Sequence, residues 1–282
     1  MNPYQNILVG VNYEESCRHA LQQAHRIATE SGGQLIAFHA FSPHEVYDFI
    51  DYFFIDRARL LDSAKTMLVN FVRESLGSSD DVSCRVLDGL LHHELATVIK
   101  ESPADLLVIG GMRAKGSTRK SNKFAKKCLR FSTIPVLLVK NNKHDRSYSK
   151  IAACVDLSSA TDAVMEHSTK IAGSSPDVES TLEIDIVHSI QAPWDNIPFF
   201  SFQTEIHADL DKKKQYREAI QAQLNTICVN ASKQLPLAAK AVLLEHEKPL
   251  YGLVKHLEES QYDLAVVGFS GKGAKGLKSL FL

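Results

Sequence analysis

The sequence is short of the features that would settle its class at once. Cysteine is sparse: the five thiols (Cys17, Cys84, Cys128, Cys154 and Cys228) are scattered, odd in number and never spaced as C-x-x-C. That pattern reads as reduced thiols in a cytoplasmic protein rather than a disulfide framework. No apolar run reaches the ~18 residues of a membrane span. Net charge is only −1, so nothing draws the whole chain toward nucleic acid or an anionic membrane. The opening "MNPYQNILVGVNYEE" holds no charged segment leading into an apolar one, so no secretory leader is expected. What is present is ordinary for a globular chain, 44% apolar and 23% charged residues. The 282 residues exceed the ~100–200 of one domain, and two domains are expected.

The chain repeats itself. "NILVGVNYEE" (6–15) resembles "KIAACVDLSS" (150–159), and "LIAFHAFSP" (35–43) resembles "IDIVHSIQAP" (184–193), with His39 matching His188. "SPADLLVIGGMRAKG" (102–116) resembles "SQYDLAVVGFSGKG" (260–273), with Asp105 matching Asp263 and Gly110 matching Gly268. The offset grows from 144 to 149 to 158, as insertions in the loops of the second copy would produce. In the first copy, short runs rich in β-branched residues and without alternation lie near residues 7–11, 35–39, 83–86, 106–109 and 136–139. Such runs mark strands covered on both faces, and the segments between them show helical spacing. Alternating strands and helices give a parallel, doubly covered sheet.

The second copy has counterpart strands near residues 151–155, 184–187, 241–244 and 264–267 but none for "FSTIPVLLVK". The expected fold is α/β: two tandem open parallel-sheet domains of flavodoxin/Rossmann-like type. The second would lack its last helix and strand. The expected domains are 1–140 and 150–282, joined by the polar linker "NNKHDRSYS" at 141–149. The closing "GFSGKGAKGLKSLFL" reads as a glycine-rich loop leaving a strand and entering a helix.

The order and spacing of these pieces, found twice, resemble a tandem universal stress protein. The likeness is carried by "ILVGVNYEE", "AFHAF", "ADLLVIGG" and "STIPVLLVK" in copy one, and by "ACVDLSS", "IVHSI" and "YDLAVVGFSGKGAKG" in copy two. The resemblance implies a five-stranded parallel fold. In many members it also implies ATP bound through a G-x2-G-x9-G-[ST] loop after strand four, with an Asp at the end of strand one. It further implies pairing of fifth-strand edges, between chains or between the two copies of one chain.

The residues give the same site physical sense. In an open parallel sheet, ligands sit at the carboxyl ends of the strands. Val155 and Asp156 end strand one of copy two, Ser189 ends strand two, and Gly268 closes strand four. Gly271 and Gly273 would let backbone N–H groups approach phosphate, and Lys272 adds positive charge. The bland alternative is a mobile glycine turn with solvated lysines. Copy one departs from the pattern. Asn12 replaces the Asp, Arg113 stands at the second loop glycine, and Asn122-Lys123 falls where Gly-Ser is expected. It is therefore expected not to bind ATP.

Other features invite blander readings. The stretch "RAKGSTRKSNKFAKK" (113–127) has seven basic residues and no acid. It reads first as a solvated loop running into a helix, and nucleic acid is not an expected partner, since only Phe124 could stack on a base. His92-His93-Glu94 reads as a helix start, because adjacent helical residues make poor metal co-ligands. His39 and His188 read as structural hydrogen-bonders. The aromatic segments "EVYDFIDYFF" (45–54) and "PWDNIPFFSF" (193–202) either bury one another or line a pocket or partner surface.

Two function classes survive. The first is a regulatory protein of the stress type that binds an adenine nucleotide (ATP, with Mg, or AMP) mainly through copy two. The second is an interaction or hydrophobic-ligand module of the same fold. No catalytic motif is legible, and at most slow ATP hydrolysis would fit the resemblance.

Overall fold

The computed structural model describes residues 3–41, 56–111, 121–140, 148–172, 182–191, 206–234, 238–269 and 278–281. The chain divides into two compact units, residues 1–146 with 269–282, and residues 147–268.

In unit 1 the elements run β1 (Asn6–Gly10), α1 (Glu15–Ser31), β2 (Gln34–Phe41), α2 (Arg57–Leu76), β3 (Val82–Asp88), α3 (Leu91–Glu101), β4 (Leu106–Gly110), α4 (Ser121–Phe131) and β5 (Val136–Val139). The strands lie in the order β3-β2-β1-β4-β5, all parallel. Alternation sorts the side chains into two layers. Leu8, Ile36, Phe38, Leu107 and Ile109 pack with Leu95, Val98 and Ile99 of α3 and with Ala125 and Cys128 of α4. Ile7, Val9, Leu35 and Leu106 take the alternate positions and are also buried, while α1 buries Cys17, Ala20, Leu21, Ala24 and Ile27. Burial on both faces explains why these strands read as unbroken apolar runs.

Unit 2 repeats the scheme as β6 (Lys150–Cys154), α5 (Ala160–Ala172), β7 (Glu183–Gln191), α6 (Ile206–Gln234), β8 (Ala238–His246), α7 (Pro249–Glu259) and β9 (Leu264–Phe269). Its parallel pairs are β6 with β7, β6 with β9, and β7 with β8. Both units are open parallel α/β sheets.

One element differs from the sequence reading. The stretch expected to open a helix instead forms a short strand, β10 (Lys278–Phe281), parallel to β5 with Leu280 opposite Val136 and Phe281 opposite Leu137. Four residues close hardly any i→i−4 hydrogen bonds, whereas the free edge of β5 offers a ready ladder. The linker at 141–147 and the aromatic segments at 45–54 and 193–202 lie outside the described residues.

The repeat is visible at the level of single hydrogen bonds. Asp105 accepts from the backbone N–H groups of Gln5 (2.8 Å) and Asn6 (3.2 Å). Asp263 accepts in the same way from Ser149 (3.0 Å) and Lys150 (2.9 Å). Each carboxylate thus satisfies N–H groups at the start of the first strand in its unit, just before the sheet ladder takes over.

Candidate functional site

In both units the strand order reverses beside the first strand, between β1 and β4 and between β6 and β9. That reversal opens a crevice at the carboxyl ends. In unit 2 the last aligned pair there is Cys154 with Val267, so Asp156 and Gly268 follow directly at the crevice mouth.

The turn out of β6 is built by its own polar side chains. Asp156 Oδ1 accepts from the Ser158 amide (3.0 Å) and the Ser158 hydroxyl (2.6 Å). Ser158 Oγ in turn accepts from the Ala160 amide (3.1 Å), which caps the start of α5. Between them Leu157 takes φ +57°, a left-handed conformation that few non-glycine residues adopt. The hydrogen bonds from Ser158 hold the Asp156 carboxyl below its usual range. Asp156 is therefore an exposed, ionised carboxylate, and both hydrogen bonds from Ser158 fall on Oδ1.

Unit 1 makes the same turn with other chemistry. Asn12 Oδ1 accepts from the Glu14 amide (3.3 Å) and the Cys17 thiol (2.6 Å), and Tyr13 takes φ +62°. Tyr13 stacks on His39 (4.7 Å between centroids) and meets Phe71 edge-on (5.5 Å). Burial pushes the Tyr13 hydroxyl up to about 12. In place of an open carboxylate, unit 1 thus has a neutral amide and an aromatic side chain packed on its own histidine.

His39 and His188 do the same work in both copies. Nδ1 of His39 donates to the Val11 carbonyl (2.9 Å), and Nδ1 of His188 to that of Val155 (2.7 Å). A ring held this way in the neutral state keeps Nε2 as an acceptor. The Val155 amide donates to Val187 O (2.9 Å), so that N–H is already occupied. Ser189 Oγ donates to Pro249 O (2.9 Å), which leaves its oxygen able only to accept.

Gly268 has a packing reason to be glycine: a Cβ there would stand 3.2 Å from Ala160 Cβ and 3.3 Å from Val164 Cγ2. At Gly110 the constraint is tighter, with the Ser16 backbone 2.7 Å away. Val155, Asp156, Ser189 and Gly268 stand at the carboxyl-end sides of β6, β7 and β9. Gly271, Lys272 and Gly273 lie outside the described residues.

Sequence reasoning missed a polar chain in unit 2. Tyr262 donates to Asp185 Oδ2 (2.7 Å), His256 Nε2 lies 3.1 Å from the Tyr262 hydroxyl, and Ser260 Oγ lies 3.4 Å from His256 Nδ1. The repeat places these residues where unit 1 has Ile36, Val98 and Ala104, all buried in its core. Burial first, then Asp185, raises the Tyr262 hydroxyl well above its usual range. Aligning the two copies position by position would have exposed the exchange. His92 and His93 stack at 4.2 Å on the first turn of α3, and His92 also faces Phe131 (5.1 Å). Among the described residues no cluster of His, Cys, Asp and Glu could hold a metal ion.

Comparison with known proteins now identifies this architecture. A family model described as the universal stress protein family matches residues 3–140. Residues 3–140, within unit 1, thus carry a domain of the universal stress protein family. A universal stress protein from Archaeoglobus fulgidus matches at 13% identity and TM-score 0.57, covering 98% of this chain and 97% of its own. A functionally unknown protein from Pseudomonas aeruginosa matches at 17% identity and TM-score 0.56, covering 98% of this chain and 92% of its own. At such identities these two structures speak for the two-unit fold alone. No curated protein matches the sequence. No described helix is long and apolar enough to cross a membrane.

Proposed function

We propose that this protein binds an adenine nucleotide at the crevice of unit 2, and that unit 1 does not. The observation that carries the reading is the pair of turns after β1 and β6. One presents an exposed, ionised carboxylate at Asp156, and the other presents Asn12 with Tyr13 folded against His39. The Asp156 carboxylate and Nε2 of His188 are acceptors suited to the amino group of a base or the hydroxyls of a ribose. The oxygen of Ser189 adds a third acceptor. The phosphates would be held by Gly271, Lys272 and Gly273 after β9, with Mg2+ arriving as their counter-ion. Regulation in the stress response follows as the use of such a site in a chain without a legible catalytic motif.

Titration of the full chain with a fluorescent ATP analogue tests this. Asp156→Ala is expected to weaken binding about tenfold or more, the loss of a charged hydrogen-bond acceptor. Asn12→Ala should leave it unchanged. Equal affinity of wild type and Asp156→Ala would return the chain to the interaction-module reading.

A further inference from the structure

We infer that the outer edge of β3 in unit 1 is a docking slot for an extended, cationic peptide segment, which pairs with β3 as an added strand. Among the described residues β3 ends the strand order and pairs with β2 alone, so alternate residues turn N–H and C=O groups outward with no sheet partner among them. This edge lies at the floor of a cleft of about 630 Å3. That volume falls in the ~300–1,000 Å3 range of ligand clefts. Residues 84–88 form the floor, an extended length of ~17 Å at ~3.3 Å per residue.

The walls are the two helices that stand over opposite faces of the sheet. α2 contributes Ala58, Leu61, Asp62 and Lys65, and α3 contributes Glu94, Thr97 and Glu101. The floor already shows how a neighbouring strand would sort its side chains. Asp88 turns to α2, where it pairs with Arg57 (2.7 Å), while Arg85 turns to α3 and pairs with Glu101 (3.3 Å). A strand added beside β3 would likewise send alternate residues to each wall. The charged residues of the α3 wall are both acids, Glu94 and Glu101, of which Glu101 is already paired with Arg85 of the floor, so Glu94 is the acid left to draw a cation, whereas the α2 wall opens with apolar Ala58 and Leu61. The fitting occupant alternates cationic with apolar residues. Its backbone supplies affinity through the ladder, and its cations set the face.

The probe is acetyl-Val-Lys-Val-Lys-Val-Lys-Val-amide, titrated into the full chain by fluorescence anisotropy and followed through the backbone amide resonances of β3. Saturable binding is expected, with the largest shifts at residues 84–88. Two further peptides, N-methylated either on every Val or on every Lys, leave the protein untouched. Only one of these sets faces β3, so the two should differ about tenfold in affinity. Glu94→Gln should weaken the parent peptide at least about threefold, and the Val-Glu analogue should not bind. The inference is overturned if both N-methylated peptides bind like the parent, which would leave mere charge attraction. It is equally overturned if no binding is seen up to about 1 mM peptide.

Discussion

Asp156 and Asn12 differ by one atom type, yet they divide the two copies. The hydroxyl and amide of Ser158 hold the Asp156 carboxyl low, so the folded chain binds this proton less readily than the unfolded chain. Its contribution to stability is therefore present above the ordinary carboxylate range and is lost as pH falls through the lowered folded pKa. Ser158→Ala removes both the hydroxyl donor and the cap on α5. It is expected to cost about 1 kcal/mol in denaturant unfolding. It should also move the Asp156 carboxyl upward in an NMR titration, and a variant with neither change would contradict the turn described here. Tyr13 gives the opposite expectation. Its buried hydroxyl has no hydrogen-bond partner among the described residues, so Tyr13→Phe should be neutral or stabilising by up to ~1 kcal/mol. Burial raises its folded pKa, so its contribution is intact below the unfolded value of 10 and is lost as pH climbs toward about 12. Tyr13→Phe should accordingly flatten the alkaline limb of the pH–stability curve. A loss of more than ~1 kcal/mol at neutral pH would show that the hydroxyl is paired.

At the scale of elements, glycine carries a packing role. Gly268 stands where the phosphate loop is expected to begin, and in both units the glycine closing the fourth strand lets the first helix come close. The two copies should respond differently. Gly110→Ala drives a methyl against the Ser16 backbone and should cost about 1–3 kcal/mol, whereas Gly268→Ala meets only side-chain methyls and should cost less than about 1 kcal/mol. Thermal unfolding of the two variants checks the order, and equal losses would contradict it. The strands themselves were legible because burial on both faces leaves unbroken apolar runs such as 106–109 and 264–267. The strand β10 was not, since glycines followed by "LKSLFL" fit a helix start as well as an edge strand, and the free edge of β5 decides between them. The left-handed turns at Tyr13 and Leu157 were equally hidden, because neither is the Gly or Asn that usually signals one. The chain from Asp185 to Tyr262 joins residues 77 apart in sequence, beyond any local pattern.

For the molecule as a whole, duplication explains the likeness of the two units, and their differences are local. The features kept in both copies are those that hold the sheet: Asp105 and Asp263 at the strand starts, His39 and His188 at the strand ends, and a glycine closing each fourth strand. The features that differ sit at the crevice mouth and in the layer where Asp185, His256 and Tyr262 stand in for Ile36, Val98 and Ala104. Isothermal titration calorimetry of the full chain with ATP and Mg2+ tests the central claim most directly. The account predicts one site per chain, greatly weakened by Asp156→Ala and unmoved by Asn12→Ala. Two equivalent sites, or a single site weakened by Asn12→Ala and indifferent to Asp156→Ala, would contradict it.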